Sequence, residues 1–208
     1  MKKSIILFRI AFLTVLSTFL FVGCGGGGEK IVANEYLGDL PSIAKNYTDK
    51  MEAKEQELKV NTDFEKAFKL AKEEELLEEE AESSIKDYIA NNPINNLPFE
   101  QKGDDPFTIT DVSVSQKYNS TPKILGLIAK VTLTKDVSKT MFLYIKAVDK
   151  EGNQINKRMG VLATGMFSKK SFGVNKEVEL IGGIERTADL VNFEKFVFVS
   201  REEYNKSK

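Results

Sequence analysis

The sequence predicts an α+β protein: an N-terminal helical hairpin of about two helices, followed by an antiparallel β-sandwich of about seven strands. Three observations carry this reading. Between Asp39 and Asn91 there is no glycine, and Glu, Lys, Ala and Leu dominate, which is helix composition. From Phe107 onward the apolar period changes to two, in runs rich in β-branched and aromatic residues. Short turn clusters separate those runs, giving about seven strands in roughly 100 residues, the density of a sandwich.

The chain opens with Lys2 and Lys3, then an apolar stretch from Ile5 to Val22 interrupted by Arg9. The uninterrupted part, Ile10 to Val22, is shorter than the roughly 20 residues a spanning helix needs. Phe21-Val22-Gly23-Cys24-Gly25 follows and holds the only cysteine of the chain. These residues resemble the lipobox of bacterial lipoprotein precursors, with Phe21 where that pattern most often has Leu. The resemblance implies cleavage before Cys24, lipidation of its thiol and amine, and a lipid bilayer as partner. Gly25 in place of Asp implies, by the same resemblance, the outer membrane, on a face the sequence does not name. An uncleaved anchor and an ordinary secretory signal are the other readings. Gly25 to Gly28 predict a flexible leash, because four glycines have no side chains to pack and a large backbone entropy. Residues 1–23 are thus read as signal and 24–38 as lipidated cysteine and tether.

Residues 39–92 are read as the hairpin. Asp39 and Pro41 start the first helix, and Ile43, Tyr47, Met51 and Leu58 form its stripe. A break near Asn61 is followed by Thr62 and Glu65 at capping-box spacing. Phe64, Phe68, Ala71, Leu77, Ala81, Ile85, Tyr88 and Ile89 are taken as the stripe of the second helix, and Asn91-Asn92-Pro93 ends it. Residues 49–87 carry 14 acids against 7 lysines, net −7, with acidic triplets at Glu73–Glu75 and Glu78–Glu80. Lysines three or four positions away make a solvated outer face the simpler reading than a cation or basic-partner surface. So thin a hairpin must dock on the rest of the chain, or on another copy, to bury its stripe.

Residues 93–106, rich in Asn, Pro, Gly and Asp, are read as a linker, and 107–204 as the strand domain. Phe107 and Ile109 share one phase and Val112 and Val114 the other, so a bulge is expected at Thr110-Asp111. Leu125 to Leu133 alternate cleanly. Leu143, Ile145 and Ala147 do the same, but their opposite face is Phe142, Tyr144, Lys146 and Val148, unusually apolar for a solvent side. Asp149 to Asn153 is a hairpin loop with Gly152 at the position that needs positive φ. Gly160 and Gly165 are bends within one or two strands. Val178, Leu180 and Ile184 alternate with glutamates, and Phe196 and Phe198 oppose Val197 and Val199 in a last strand before a frayed tail. The Tyr144–Gly152 strand and turn, then Glu177–Gly183, then the closing aromatic strand, resemble immunoglobulin-like modules of bacterial lipoproteins. The likeness covers about half the chain, implies architecture only, and lacks the cysteine pair and tryptophan of antibody domains.

With no histidine anywhere and the one cysteine in the lipobox, Ser-His-Asp and Cys-His catalysis and histidine-based zinc sites are excluded. Net charge is −1, which gives no field for nucleic acid. Asp149, Glu151 and Asn153 offer oxygen ligands without EF-hand spacing. Asp104-Asp105 are a carboxylate pair between Gly and Pro, the setting of a turn. Gly182-Gly183 offer close backbone approach or a bulge. Residues 100–208 carry 18 bases against 14 acids, net +4, so charge attraction between hairpin and strands is an expectation. The expected function is a lipid-anchored envelope protein without catalysis, cofactor or metal. Cys24 is the lipidation site. Phe142, Tyr144 and Val148 form a candidate face for a protein, peptide or glycan, unless the hairpin covers them. A small-ligand carrier and a carboxylate-only hydrolase are the rival classes.

Overall fold

The hairpin forms where composition predicts it. The computed structural model describes residues 33–60, 62–102, 105–116, 118, 120–138, 140–164 and 172–207, within one compact unit, Val32–Lys208. In it α1 spans Leu40–Val60 and α2 spans Phe64–Asn91. The cap of α2 is Asp63 and not Thr62: its carboxylate accepts from the backbone N–H groups of Glu65 and Lys66. A carboxylate there satisfies orphan donors and faces the positive end of the helix dipole. The helices run antiparallel. The Tyr47 hydroxyl meets Ser84 at 2.9 Å, Lys54 reaches Glu73 at 2.6 Å, and Lys66 stands 3.8 Å from Glu57.

The stripe expected on α2 is out of phase at its start. The buried residues are Leu70, Ala81, Ile85 and Ile89. At about 100° per residue, Phe68 lies roughly 160° and Phe64 roughly 120° round the helix from Leu70. Both are exposed, Phe64 at 85% and Phe68 at 67%. At this end the helices are bridged by ion pairs, Lys54 with Glu73 partly buried and Lys66 with Glu57 about half exposed.

Seven strands follow: β1 Phe99–Gln101, β2 Phe107–Val114, β3 Ile124–Leu133, β4 Phe142–Val148, β5 Gly160–Ala163, β6 Glu177–Glu185 and β7 Lys195–Val199. They form one continuous sheet in the order β1-β7-β4-β5-β6-β3-β2, where two stacked antiparallel sheets were expected. The sheet is mixed, because β1 runs parallel to β7 while every other pairing among the described strands is antiparallel. The bulge between Ile109 and Asp111 falls where the phase slip indicates.

The sheet bends until its edges nearly meet, and the stretch read as a linker joins them. Ile94 and Leu97 bond to β2, through Val114 N–H to Ile94 O at 2.9 Å and Leu97 N–H to Val112 O at 2.8 Å. A few residues on, β1 pairs with β7. Gln101 then spans the gap: its amide donates to Phe107 O and accepts from Ile109 N–H, both at 3.1 Å. The result is close to a barrel. Glycines permit the tight bend, since a Cβ on Gly182 would run into the Val161 carbonyl and one on Gly160 into that of Gly183.

The interior is filled by the inward phase of each strand, including Leu125, Leu127, Ile145, Leu162, Leu180, Phe196 and Phe198, all at 1% exposure or less. Each such aromatic or branched side chain contributes about 1.5–3 kcal/mol of transfer free energy. The hairpin joins this core at its base through Leu37, Leu40, Ala44, Ile85 and Ile89. Asn34 fastens the junction. Its side chain donates to Val191 O at 3.1 Å and Phe193 O at 2.8 Å, and accepts from the N–H groups of Tyr36 and Leu37 at 3.0 Å. Its acceptors lie on and just after a 3-10 helix, Thr187–Asn192, which packs against α1. The tail expected to fray is instead α3, Arg201–Lys206, capped by Ser200.

Candidate functional site

The apolar outer phase of β4, singled out from sequence, divides in two. Val148 is 2% exposed and clusters with Val197 and Val199, with Tyr144 and Met159 against them. What covers this half is α3 and not the hairpin. Tyr204 stacks on Tyr144 at 4.3 Å and 24° between rings, and Glu203 pairs with Lys146 at 2.7 Å. The order of strands dictates this: β4 and β7 are neighbours, and α3 leaves β7 after a single residue.

Phe142, 51% exposed, belongs to a second and open half. Side chains of paired residues share a face of the sheet. Phe142 pairs with Ala163, Ala163 with Ile181, and Ile181 with Ile128. This is one outward row across β4, β5, β6 and β3, with Ile181 40% exposed. The next row runs Tyr144, Val161, Gly183 and Gly126. Two glycines there make room for neighbouring side chains, Tyr118 over Gly126 and Ile124 over Gly183. Charged outward residues begin one row away on the other side, where Lys130 faces Glu179. Together these make a contiguous apolar band on the outside of the sheet.

Sequence reasoning found Phe142 and missed Ile181, Ile128, Ile124 and Val161. The signal was present at Ile181-Gly182-Gly183-Ile184: two isoleucines an odd number of positions apart in a strand lie on opposite faces, so one must point outward. Gly182 and Gly183 lie within β6 and accommodate neighbouring backbone and Ile124.

The other candidates dissolve into local structure or lie elsewhere. Asp149 accepts from the backbone and side-chain nitrogens of Asn153, and Gly152 takes φ 85°, so that carboxylate is engaged in closing its own loop. Cys24, Asp104 and the leash glycines lie outside the described residues. Of the acidic triplets, Glu73 pairs with Lys54 and Glu78 with Lys123 at 2.6 Å. The Lys54 ammonium, first by its hydrogen bond, holds the Glu73 carboxyl below the usual carboxylate range. Lys195 does the same for Glu100, linking β7 to β1.

A cleft of about 180 Å³ lies between the hairpin and the loops at Pro122 and Arg186, with Met51, Pro122 and Ala188 among its apolar lining and Glu52, Glu55 and Glu74 among its carboxylates. Arg186 crosses beside it, 3.5 Å from Glu52 and 3.1 Å from Asp189. The cleft is well below the roughly 300–1,000 Å³ of small-molecule pockets. No helix among the described residues is long and apolar enough to cross a membrane. No family model, curated protein or solved structure matches the chain.

Proposed function

We propose that this chain is a lipid-anchored protein of the cell envelope, held at the outer membrane by acylated Cys24, that acts without catalysis by presenting the outer apolar band to another envelope protein. The observation that carries the binding part is the contiguous row Phe142–Ala163–Ile181–Ile128. Exposed apolar patches of this continuity mark interaction surfaces more than chance exposure does. The band favours a protein over a glycan, because its central side chains offer no hydrogen-bonding groups for sugar hydroxyls. The anchor rests on the lipobox resemblance and the single cysteine. The kinship to immunoglobulin-like lipoprotein modules belongs to the same proposal. The antiparallel pairing of all strands but β1 supports it, and the parallel β1–β7 pair is what it must accommodate.

The test places a photocrosslinking side chain at Ile181, and in a second variant at Glu177, in cells making the full chain. A discrete protein adduct from position 181, absent from position 177 and lost when Phe142→Lys is added, is the expected result. A glycan adduct, or equal labelling at both positions, would remove the protein-binding reading. Labelled palmitate that enters the chain but not a Cys24→Ala variant checks the anchor separately.

A further inference from the structure

The two phenylalanines that fall out of the α2 stripe need an occupant. Val60 ends α1 and Phe64 begins α2, so both sit at the tip of the hairpin, 82% and 85% exposed. Phe68 is one turn further along and 67% exposed, and residues four apart on a helix share a face. The opposite end of the hairpin is held in the barrel core by Asn34, Leu37, Leu40, Ile85 and Ile89, and the barrel's loops reach along the hairpin to Glu52 and Glu78 through Arg186 and Lys123. The tip therefore stands a helix length away, about 31 Å for α1 at 1.5 Å per residue.

Chain length says what can lie there. About nine residue steps separate Cys24 from Ala33, where the described chain begins, and these reach at most roughly 30 Å. A bilayer holding Cys24 is thus never further from the hairpin base than about the length of the hairpin itself. That reach is enough, near full extension, for the hairpin to point at that bilayer with its tip at the surface.

We propose that Val60, Phe64 and Phe68 insert into the surface of the bilayer that carries lipidated Cys24, making the hairpin a strut with two points of membrane contact. The inference rests on the anchoring reading above. A bilayer suits the patch better than a second copy. On the Phe64–Phe68 face the next turns bring Lys72, Glu75 and Glu79, and a helix–helix interface would have to bury them. Leu76, the next exposed apolar residue, is turned about 80° from Phe68. Contact confined to one turn is enough for interfacial insertion, where apolar side chains sit about 5–10 Å into the headgroup boundary. The tip carries both signs of charge, with Asp63 and Glu65 beside Lys59 and Lys66, so insertion does not require anionic lipid.

The chain has no tryptophan, so Phe64→Trp and, separately, Phe142→Trp each install a single reporter in the full lipidated protein. Both substitutions fall on exposed positions and leave the core intact. In phosphatidylcholine vesicles the Phe64→Trp emission is expected to shift to the blue, and to lose about half its intensity when the acyl chains are brominated near the headgroup. The Phe142→Trp emission is expected to do neither. Palmitate-labelled, vesicle-bound protein whose Phe64→Trp emission does not respond would overturn the strut and leave the anchor standing. Absence of palmitate would remove the anchor, and the strut with it. A blue shift that grows with protein concentration in the absence of lipid would assign the tip to a second copy instead.

Discussion

Asn34 shows how much one side chain carries at the junction between hairpin and barrel. All four of its hydrogen-bonding opportunities are used, two as donor to carbonyls 157 and 159 positions away and two as acceptor from its own turn. Asn34→Ala leaves two carbonyls and two N–H groups in a half-buried site to find water, which is expected to cost about 2 kcal/mol. The measurement is the urea midpoint followed by far-ultraviolet circular dichroism. Asn34→Asp is the sharper test, because it keeps the acceptor bonds and replaces the donors with a carboxylate facing two carbonyls. It should be at least as damaging as Asn34→Ala, and a neutral Asn34→Asp would show that the long-range pair contributes nothing. Nothing in the sequence marked this residue. It falls in the stretch read as tether, and its partners are fixed only by the folded chain. The loop at Asp149–Asn153 is the opposite case: its hydrogen bonds are local, and the turn with Gly152 at positive φ was legible from five residues.

Strands with alternating patterns were readable as elements, and their connections were not. Leu125 to Leu133 and Leu143 to Ala147 bury the phase that alternation assigns them, and the Thr110-Asp111 slip is a bulge. Alternation reports which face is buried, and it is silent on which strand lies beside which. Nor does it tell two stacked sheets from one sheet rolled nearly closed, since both hide one phase. The hairpin was readable by composition, but its stripe was misjudged, because Phe64 and Phe68 are apolar without being in phase with Leu70, Ala81 and Ile85. Closure depends on Gln101 in a segment that reads as linker. Gln101→Leu keeps most of its volume and removes the bonds to Phe107 O and Ile109 N–H. It is expected to cost about 1–2 kcal/mol and to speed amide hydrogen exchange at Ile109 more than at Val131, its partner on β3, which is paired on both sides. Unchanged protection of Ile109 would show that β2 is held by its other pairings alone.

At the scale of the whole molecule, opposite net charges on hairpin and strands suggested electrostatic docking, and the contacts give that attraction a small share. Two ion pairs between described residues cross between them, Lys123–Glu78 and Arg186–Glu52, with side chains about half exposed. Pairs of that exposure contribute about 0–1 kcal/mol. The apolar base and Asn34 hold the junction. Carboxylates with displaced titration lie within each part. Glu73 ties α2 to α1 through Lys54, and Glu100 ties β1 to β7 through Lys195. Both carboxyls are lowered from 4.5, in each case first by the lysine hydrogen bond. A carboxyl lowered on folding binds fewer protons in the native state than in the unfolded one, so its stabilising effect is complete above its ordinary value. That effect fades as pH falls below 4.5 through the lowered value and is gone beneath it. Lys54 is raised by the same pair, first by the Glu73 hydrogen bond, so the pair's contribution has an alkaline limit too, and is lost as pH rises above the ordinary lysine value of 10.5. The urea midpoint should therefore be flat from neutral pH to about 5 and decline below 4.5. The Glu73→Gln, Glu100→Gln double variant should start lower, decline less, and converge with the parent at the acid end. Parallel curves with a constant offset would mean that these two pairs act by shape and neutral hydrogen bonding, and that other carboxylates set the acid limb.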